Sequence, residues 1–135
     1  MLENTDTSTC CTCGYEWKTG RNGSHSCTDT LLKRFASSTA LSDVIDERHR
    51  QINKKGYTPQ HDNDHDAGEL AGAGSAYALN ASCQLYPYYN LPLDEKPDSF
   101  TWDDSHWKPK SPREDLVRAA ALLIAEIERI DRKGK

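Results

Sequence analysis

The chain lacks any apolar run that approaches a membrane span. Its longest, Ala119–Ala125, falls far short of the roughly 20 residues a helix needs to cross a bilayer. Met1–Cys10 is polar and has no apolar signal region, so a cytoplasmic protein is expected rather than a secreted one. Basic residues are scarce in the middle. Residues 61–107 hold 1 Lys/Arg against 9 Asp/Glu, whereas residues 1–60 hold 8 against 7 and residues 108–135 hold 8 against 5. The net charge of -4 therefore sits in an acidic block between two mildly basic ones. That balance argues against a protein that simply coats nucleic acid. Apolar residues are few: 36% of 135 residues, with a mean hydropathy of -0.84. A chain this polar has a thin core, and a homo-oligomer is expected on that ground. An even, dispersed cysteine set is missing too. Of the five cysteines, Cys10, Cys11, Cys13 and Cys27 are clustered and Cys83 stands apart. That excludes a disulfide framework and favours metal in a reducing compartment.

What the cysteine segment does have is a ligand pattern. Cys10-x2-Cys13 is followed by Gly14-Tyr15 and then by His25-x-Cys27. A CxxC turn aims two thiolates at one ion, and the glycine after it permits a tight backbone. The glycine-rich stretch Gly20–Gly23 returns the chain, so Cys10, Cys13, His25 and Cys27 make a Cys3His set for tetrahedral zinc. The zinc would be structural, since so few apolar residues lie nearby. Cys11 is a spare that could exchange with Cys10.

The remaining pattern is helical. The expected fold is mainly α: a small zinc-binding module over residues 1–35, then a compact helical domain over 36–135 with a long aromatic, proline-rich loop. Residues 1–9 are expected to be disordered. Thr30–Phe35 carries one apolar face of a short helix, and Ala36–Ala40 reads as a linker. Ser42–Lys55 reads as a helix capped by Ser42, with Leu41, Val44, Ile45 and Ile52 on one face and Arg48, Arg50 and Lys54 elsewhere. Gly56 suits its stop, and Thr58-Pro59 breaks the chain. His61–Ser82 contains a further helix, with Leu70, Ala73, Tyr77 and Ala81 on one face. Gly72 and Gly74 permit close packing there. Asn80–Trp107 reads as irregular and aromatic, with Tyr86, Tyr88, Tyr89, Phe100, Trp102 and Trp107. The last helix, Pro112–Arg132, has Ser111 as N-cap, Pro112 at its first position and Glu114 at its third, a capping box. Leu116, Ala120, Leu123, Ile127 and Ile130 follow spacings of 4, 3, 4 and 3, a seam facing a partner helix. Arg129, Arg132 and Lys133 complement its negative end.

Two further clusters carry chemistry. His61, His65 and Glu69 fall at helical spacing beside Asp62, Asp64 and Asp66, and would bind a divalent metal if that stretch is helical. The competing reading is an acidic helix start, with the aspartates at the positive end. Lys108, Lys110 and Arg113 gather at the start of the last helix, where free backbone amides also favour an anion. Trp102, Trp107 or a tyrosine from Tyr86–Tyr89 would stack on a base, with Arg48, Arg50 and Arg118 joining if the helices pair. Here the competing reading is tryptophans over a thin core and solvated cations.

Asp43–Gln51, Gly56–Asp62 and Arg118–Arg132 resemble small phage and prophage accessory proteins. Their layout is similar to the MazG-like, all-helical nucleotide pyrophosphohydrolases, with the cysteine segment looking like a module found in front of phage accessory domains. The resemblance implies magnesium or manganese held by paired carboxylates against a triphosphate, and a bacterial host cytoplasm. The carboxylate pairs are degenerate here. Gly72 and Ala73 follow Glu69 where a second acid is wanted, and Val117 and Arg118 follow Glu114 and Asp115. The expected function is accordingly a non-enzymatic, phage-type binding protein that captures a nucleotide-like anion or docks on a host protein, as in counter-defence. One alternative is a metal-dependent pyrophosphohydrolase using His61, His65, Glu69 and Asp115. Another is a zinc-module adaptor that binds nucleic acid.

Overall fold

Thr7–Thr9 (β1) and Glu16–Lys18 (β2) pair antiparallel, with Ser8 opposite Trp17. The knuckle between them is closed by Gly14 N donating to Cys10 O and Cys10 N to Tyr15 O, both at 2.8 Å. Strand β1 lies where disorder was expected: threonine suits a strand, and pairing with β2 outweighs the polar composition. The computed structural model describes residues 6–86, 93 and 95–134. The chain divides into two compact units, Met1–Ser42 and Asp43–Lys135.

Helix α1, Cys27–Ala36, completes the first unit, with Ser26 as N-cap accepting from the Asp29 amide. None of its residues is buried, and Leu32 and Phe35 are 60% and 50% exposed. Helix α2 spans Thr39–Lys55 and so begins before Ser42, which lies inside it rather than capping it. Only two residues separate α1 from α2, so Ala36–Ala40 is not a free linker.

The buried stripe of α2 is Val44, Arg48 and Gln51, while Leu41 and Ile45 face solvent. Arg48, expected elsewhere on the helix, is inside because its guanidinium has partners. It meets Asp62 Oδ2 at 2.7 Å and donates to the Tyr57 carbonyl at 3.2 Å. A buried charge is tolerated when paired and hydrogen-bonded. Gly56, at φ +73°, ends the helix region as expected. Thr58 and Pro59 do not simply break the chain: Thr58 caps α3, Pro59–Asn63, and Pro59 opens it.

Helix α4, Glu69–Leu85, buries Leu70, Ala73, Tyr77 and Ala81 as the spacing predicts, and it continues past Asn80 into the stretch expected to be irregular. It packs against α5, Pro112–Arg132, whose capping box is complete. A Cβ on Gly74 would stand 3.2 Å from the Ala119 carbonyl, and one on Gly72 would collide with the Ser99 carbonyl. The core is Leu70, Ala73, Ala76, Tyr77, Phe100, Ala119, Leu122 and Ala125, with Trp102 and Trp107 packed on it. On α5 the buried face includes Asp115, Ala119, Leu122, Glu126 and Arg129, each one residue before the expected seam. Leu116, Leu123, Ile127 and Ile130 are 40–58% exposed. Arg129 is not an open cation at the helix end; it is buried against Glu126 at 2.9 Å. Tyr88 and Tyr89 lie outside the described residues. Among the described residues, no helix is long and apolar enough to cross a membrane.

Candidate metal centre and candidate anion cavity

The Cys10–Cys13 knuckle brings two thiols together, and the chain returns through Gly23 to place His25 just before α1 and Cys27 at its first residue. The ligand atoms of Cys10, Cys13, His25 and Cys27 all lie within 4.8 Å of one another. Cys10 Sγ is 3.7 Å from Cys27 Sγ, and His25 Nε2 is 3.3 Å from Cys13 Sγ and 3.5 Å from Cys27 Sγ. Tetrahedral bonds of about 2.3 Å to sulfur and about 2.0–2.1 Å to nitrogen imply edges of about 3.8 Å and about 3.5 Å, so the set fits a single ion. His25 Nδ1 donates to the Gly23 carbonyl at 2.7 Å, which leaves Nε2 as the ligand nitrogen. Tyr15 stacks on the ring at 4.3 Å. Backbone amides of Cys13 and Thr12 hold the Cys10 thiol down to about 6. Hydrogen bonds with Cys13 and Cys10 push Cys27 up to about 11, as expected when several sulfurs share few protons. Cys11 is exposed and stands outside the set. The one-residue spacing of His25 and Cys27 works because the pair straddles the Ser26 N-cap, where the chain turns into the helix.

In the second unit, a cavity of about 220 Å³ is lined by cations from two parts of the sequence. Arg50 and Lys55 come from α2, Arg118 from α5, and Lys108 and Lys110 from the segment before it. Tyr57, Tyr77, Phe100, Trp102 and His106 supply its aromatic wall. Arg118 is held by donating to the Lys108 carbonyl at 2.6 Å and lies 4.7 Å from the Tyr77 ring centre. Arg50 grips Glu47 through two bonds of 2.7 Å. Burial works to raise the Glu47 carboxyl, but Arg50 outweighs it and lowers it below the usual range. Lys55, Lys108 and Lys110 enter no salt bridge among the described residues. Burial raises the Tyr57 phenol above its ordinary value.

The other expected residues sit elsewhere. Arg48 is committed to Asp62 and does not line the cavity. Trp107 stacks on Tyr77 at 4.7 Å behind the wall. Arg113 pairs with Asp43 at 2.7 Å beside a shallower cavity that shares Arg50, Lys110 and Arg118 with the first. His61 and His65 meet through their Nε2 atoms at 3.4 Å, and His65 Nδ1 is 4.0 Å from Glu69. Asp115 is not with them. It is buried, accepting from Asn80 Nδ2 at 3.1 Å and the Lys110 amide at 2.8 Å. Sequence reasoning missed Lys55, Tyr57, Tyr77, His106 and Gln51 as lining residues. Only Lys55 had a signal, lying near Arg50 on one basic helix end.

Comparison with family models, curated proteins and solved structures returned no match. The likeness to phage accessory proteins and MazG-like enzymes therefore rests on the sequence segments alone.

Proposed function

We propose that the protein captures a nucleotide-like anion without turning it over. The observation that carries this is the convergence of Arg50, Lys55, Lys108, Lys110 and Arg118 on one aromatic-walled cavity. Calorimetric titration of inorganic tripolyphosphate tests it. Binding that weakens steeply with salt is expected, and no heat at low salt would sink it.

The Cys3His set is read as a zinc site. It fits zinc in ligand type and edge length, and its role would be to hold the first unit's fold. Metal analysis of the purified protein should find about one zinc per chain.

The pyrophosphohydrolase alternative gains little support. Asp115 is bound up in a structural clamp, apart from His61, His65 and Glu69. A homo-oligomer is favoured by the exposed seam on α5, because an apolar heptad repeat is self-complementary and a second copy is its simplest cover. Light scattering of wild type and Ile127→Lys would test that, with a fall in mass expected for the variant. The phage origin and a counter-defence role follow from the sequence resemblance and belong to the same proposal.

A further inference from the structure

Helix α3 and the turn that follows it bring His61 and His65 together. Their Nε2 atoms lie 3.4 Å apart, whereas the ring centres are 4.7 Å apart. The two Nε2 ends therefore lean toward one another. Each ring is braced by an aromatic neighbour: Tyr57 stacks on His61 at 5.0 Å, and Trp102 lies 5.4 Å from His65.

A carboxylate stands at the other nitrogen of each ring. Asp62 Oδ1 is 3.5 Å from His61 Nδ1, and Glu69 Oε1 is 4.0 Å from His65 Nδ1. Both carboxylates are anchored. Asp62 is buried and its Oδ2 meets Arg48 at 2.7 Å, while Glu69 Oε2 accepts from the Ala67 amide at 2.9 Å. A group that only accepts, placed beside Nδ1, favours the tautomer with its proton there. Both Nε2 atoms then present lone pairs to each other, and two confronting acceptors call for a cation between them.

The spacing says which cation. Metal–nitrogen bonds of about 2.0–2.1 Å span about 3.3–3.4 Å across a tetrahedral edge, but about 2.8–3.0 Å across a right-angled one. The pair stands at the tetrahedral edge. It is also wider than the about 2.7–3.2 Å usual for a hydrogen bond from an N–H, so a shared proton fits less well. Imidazole nitrogens suit zinc and its transition-metal neighbours, whereas magnesium takes oxygen. The side chains of His61 and His65 are 39% and 23% exposed, which leaves the pair partly open to solvent.

We propose that His61 and His65 bind a divalent transition ion, zinc foremost, through their Nε2 atoms. Asp62 and Glu69 are positioning residues that set the rings. The ion ties the end of α3 to the start of α4, whose first residue is Glu69. Among the described residues no third ligand atom from His, Cys, Asp or Glu gathers with this pair. Water fills the remaining positions, so the site is weaker than the Cys3His set and fills only when zinc exceeds one per chain. This site is independent of anion capture.

The test is calorimetric titration of further zinc into the full chain already carrying one zinc in the Cys3His set. One additional ion per chain should bind. His61→Gln and His65→Gln should each weaken it by about tenfold or more, and Glu69→Gln, which removes the charge behind His65, by about tenfold. Histidine 15N spectra should show both Nε2 signals moving together as the second zinc enters. If one histidine variant does not fold by circular dichroism, the other decides. Absence of a second zinc overturns the site and leaves the pair sharing a proton. A shift confined to one ring overturns the chelate. Equal weakening by His49→Gln, at an exposed histidine of α2, makes the zinc an adventitious ion only and overturns the site. Magnesium binding as tightly as zinc overturns the imidazole assignment.

Discussion

Among the described residues, the unit Met1–Ser42 buries one apolar side chain, that of Cys13, whereas Asp43–Lys135 builds a cluster of eight around α4 and α5. Helix α1 hides none of its residues, yet it begins on a cysteine of the Cys3His set. The second unit has no comparable ligand set among the described residues and is held by packing, helped by buried pairs such as Arg48–Asp62 and Asn80–Asp115. A small segment with no core needs a coordinating ion; a two-helix core with polar clamps does not.

The two units should differ most in their response to loss of the Cys3His set. Cys13→Ser, or removal of metal by a chelator, should unfold the first unit and leave the second intact. Apparent binding energies of structural zinc run to about 10–16 kcal/mol near neutral pH, so the loss should be complete in heteronuclear NMR spectra. Signals of the hairpin persisting without metal would contradict it, and Cys11→Ser should change nothing. Next in size is Asp62→Ala, which strands the buried Arg48 guanidinium. A cost of about 3–5 kcal/mol is expected in urea unfolding of the second unit, with zinc content unchanged.

Smaller is Arg118→Ala, which removes a cation already positioned by the Lys108 carbonyl. Tripolyphosphate should bind about tenfold more weakly, in line with a lost charge-assisted hydrogen bond, while the melting curve barely moves. Smallest is Ser111→Ala at the start of α5, worth about 1 kcal/mol of stability. Its partner Glu114 is held below the usual carboxylate range by hydrogen bonds from Ser111. A lowered folded value means that the contribution is present above the ordinary value of 4.5 and is lost as pH falls through the lowered one. Melts taken from pH 6 to pH 3 should therefore decline more gently in Ser111→Ala than in wild type.

Several features were legible because their causes are local. The CxxC knuckle, the return to His25 and Cys27, the capping box at Ser111–Glu114 and the inward face of α4 each depend on residues close in sequence. The phase of α5 was not legible. Its seam has the right spacing, but the packed face lies one residue earlier, because Gly74 admits the Ala119 backbone and Asp115 and Glu126 find polar partners inside. A count of apolar residues could not choose that face, since Leu116, Leu123, Ile127 and Ile130 are left exposed while Leu122 and alanines are buried.

The same division holds for the candidate sites. The residue pattern alone narrowed the candidate metal set to Cys13, His25, Cys27 and either Cys10 or Cys11, and the fold then brings Cys10 into the cluster and leaves Cys11 exposed. The pattern also named Arg50, Trp102, Lys108, Lys110 and Arg118, without being able to say that they meet. Only the packed fold brings α2 and the start of α5 to one cavity, turns Arg48 inward to Asp62, and clamps Asp115 between Asn80 and the Lys110 amide. Those outcomes depend on which buried polar groups find partners across long stretches of chain, and that balance of desolvation against hydrogen bonding exists only once the helices have packed.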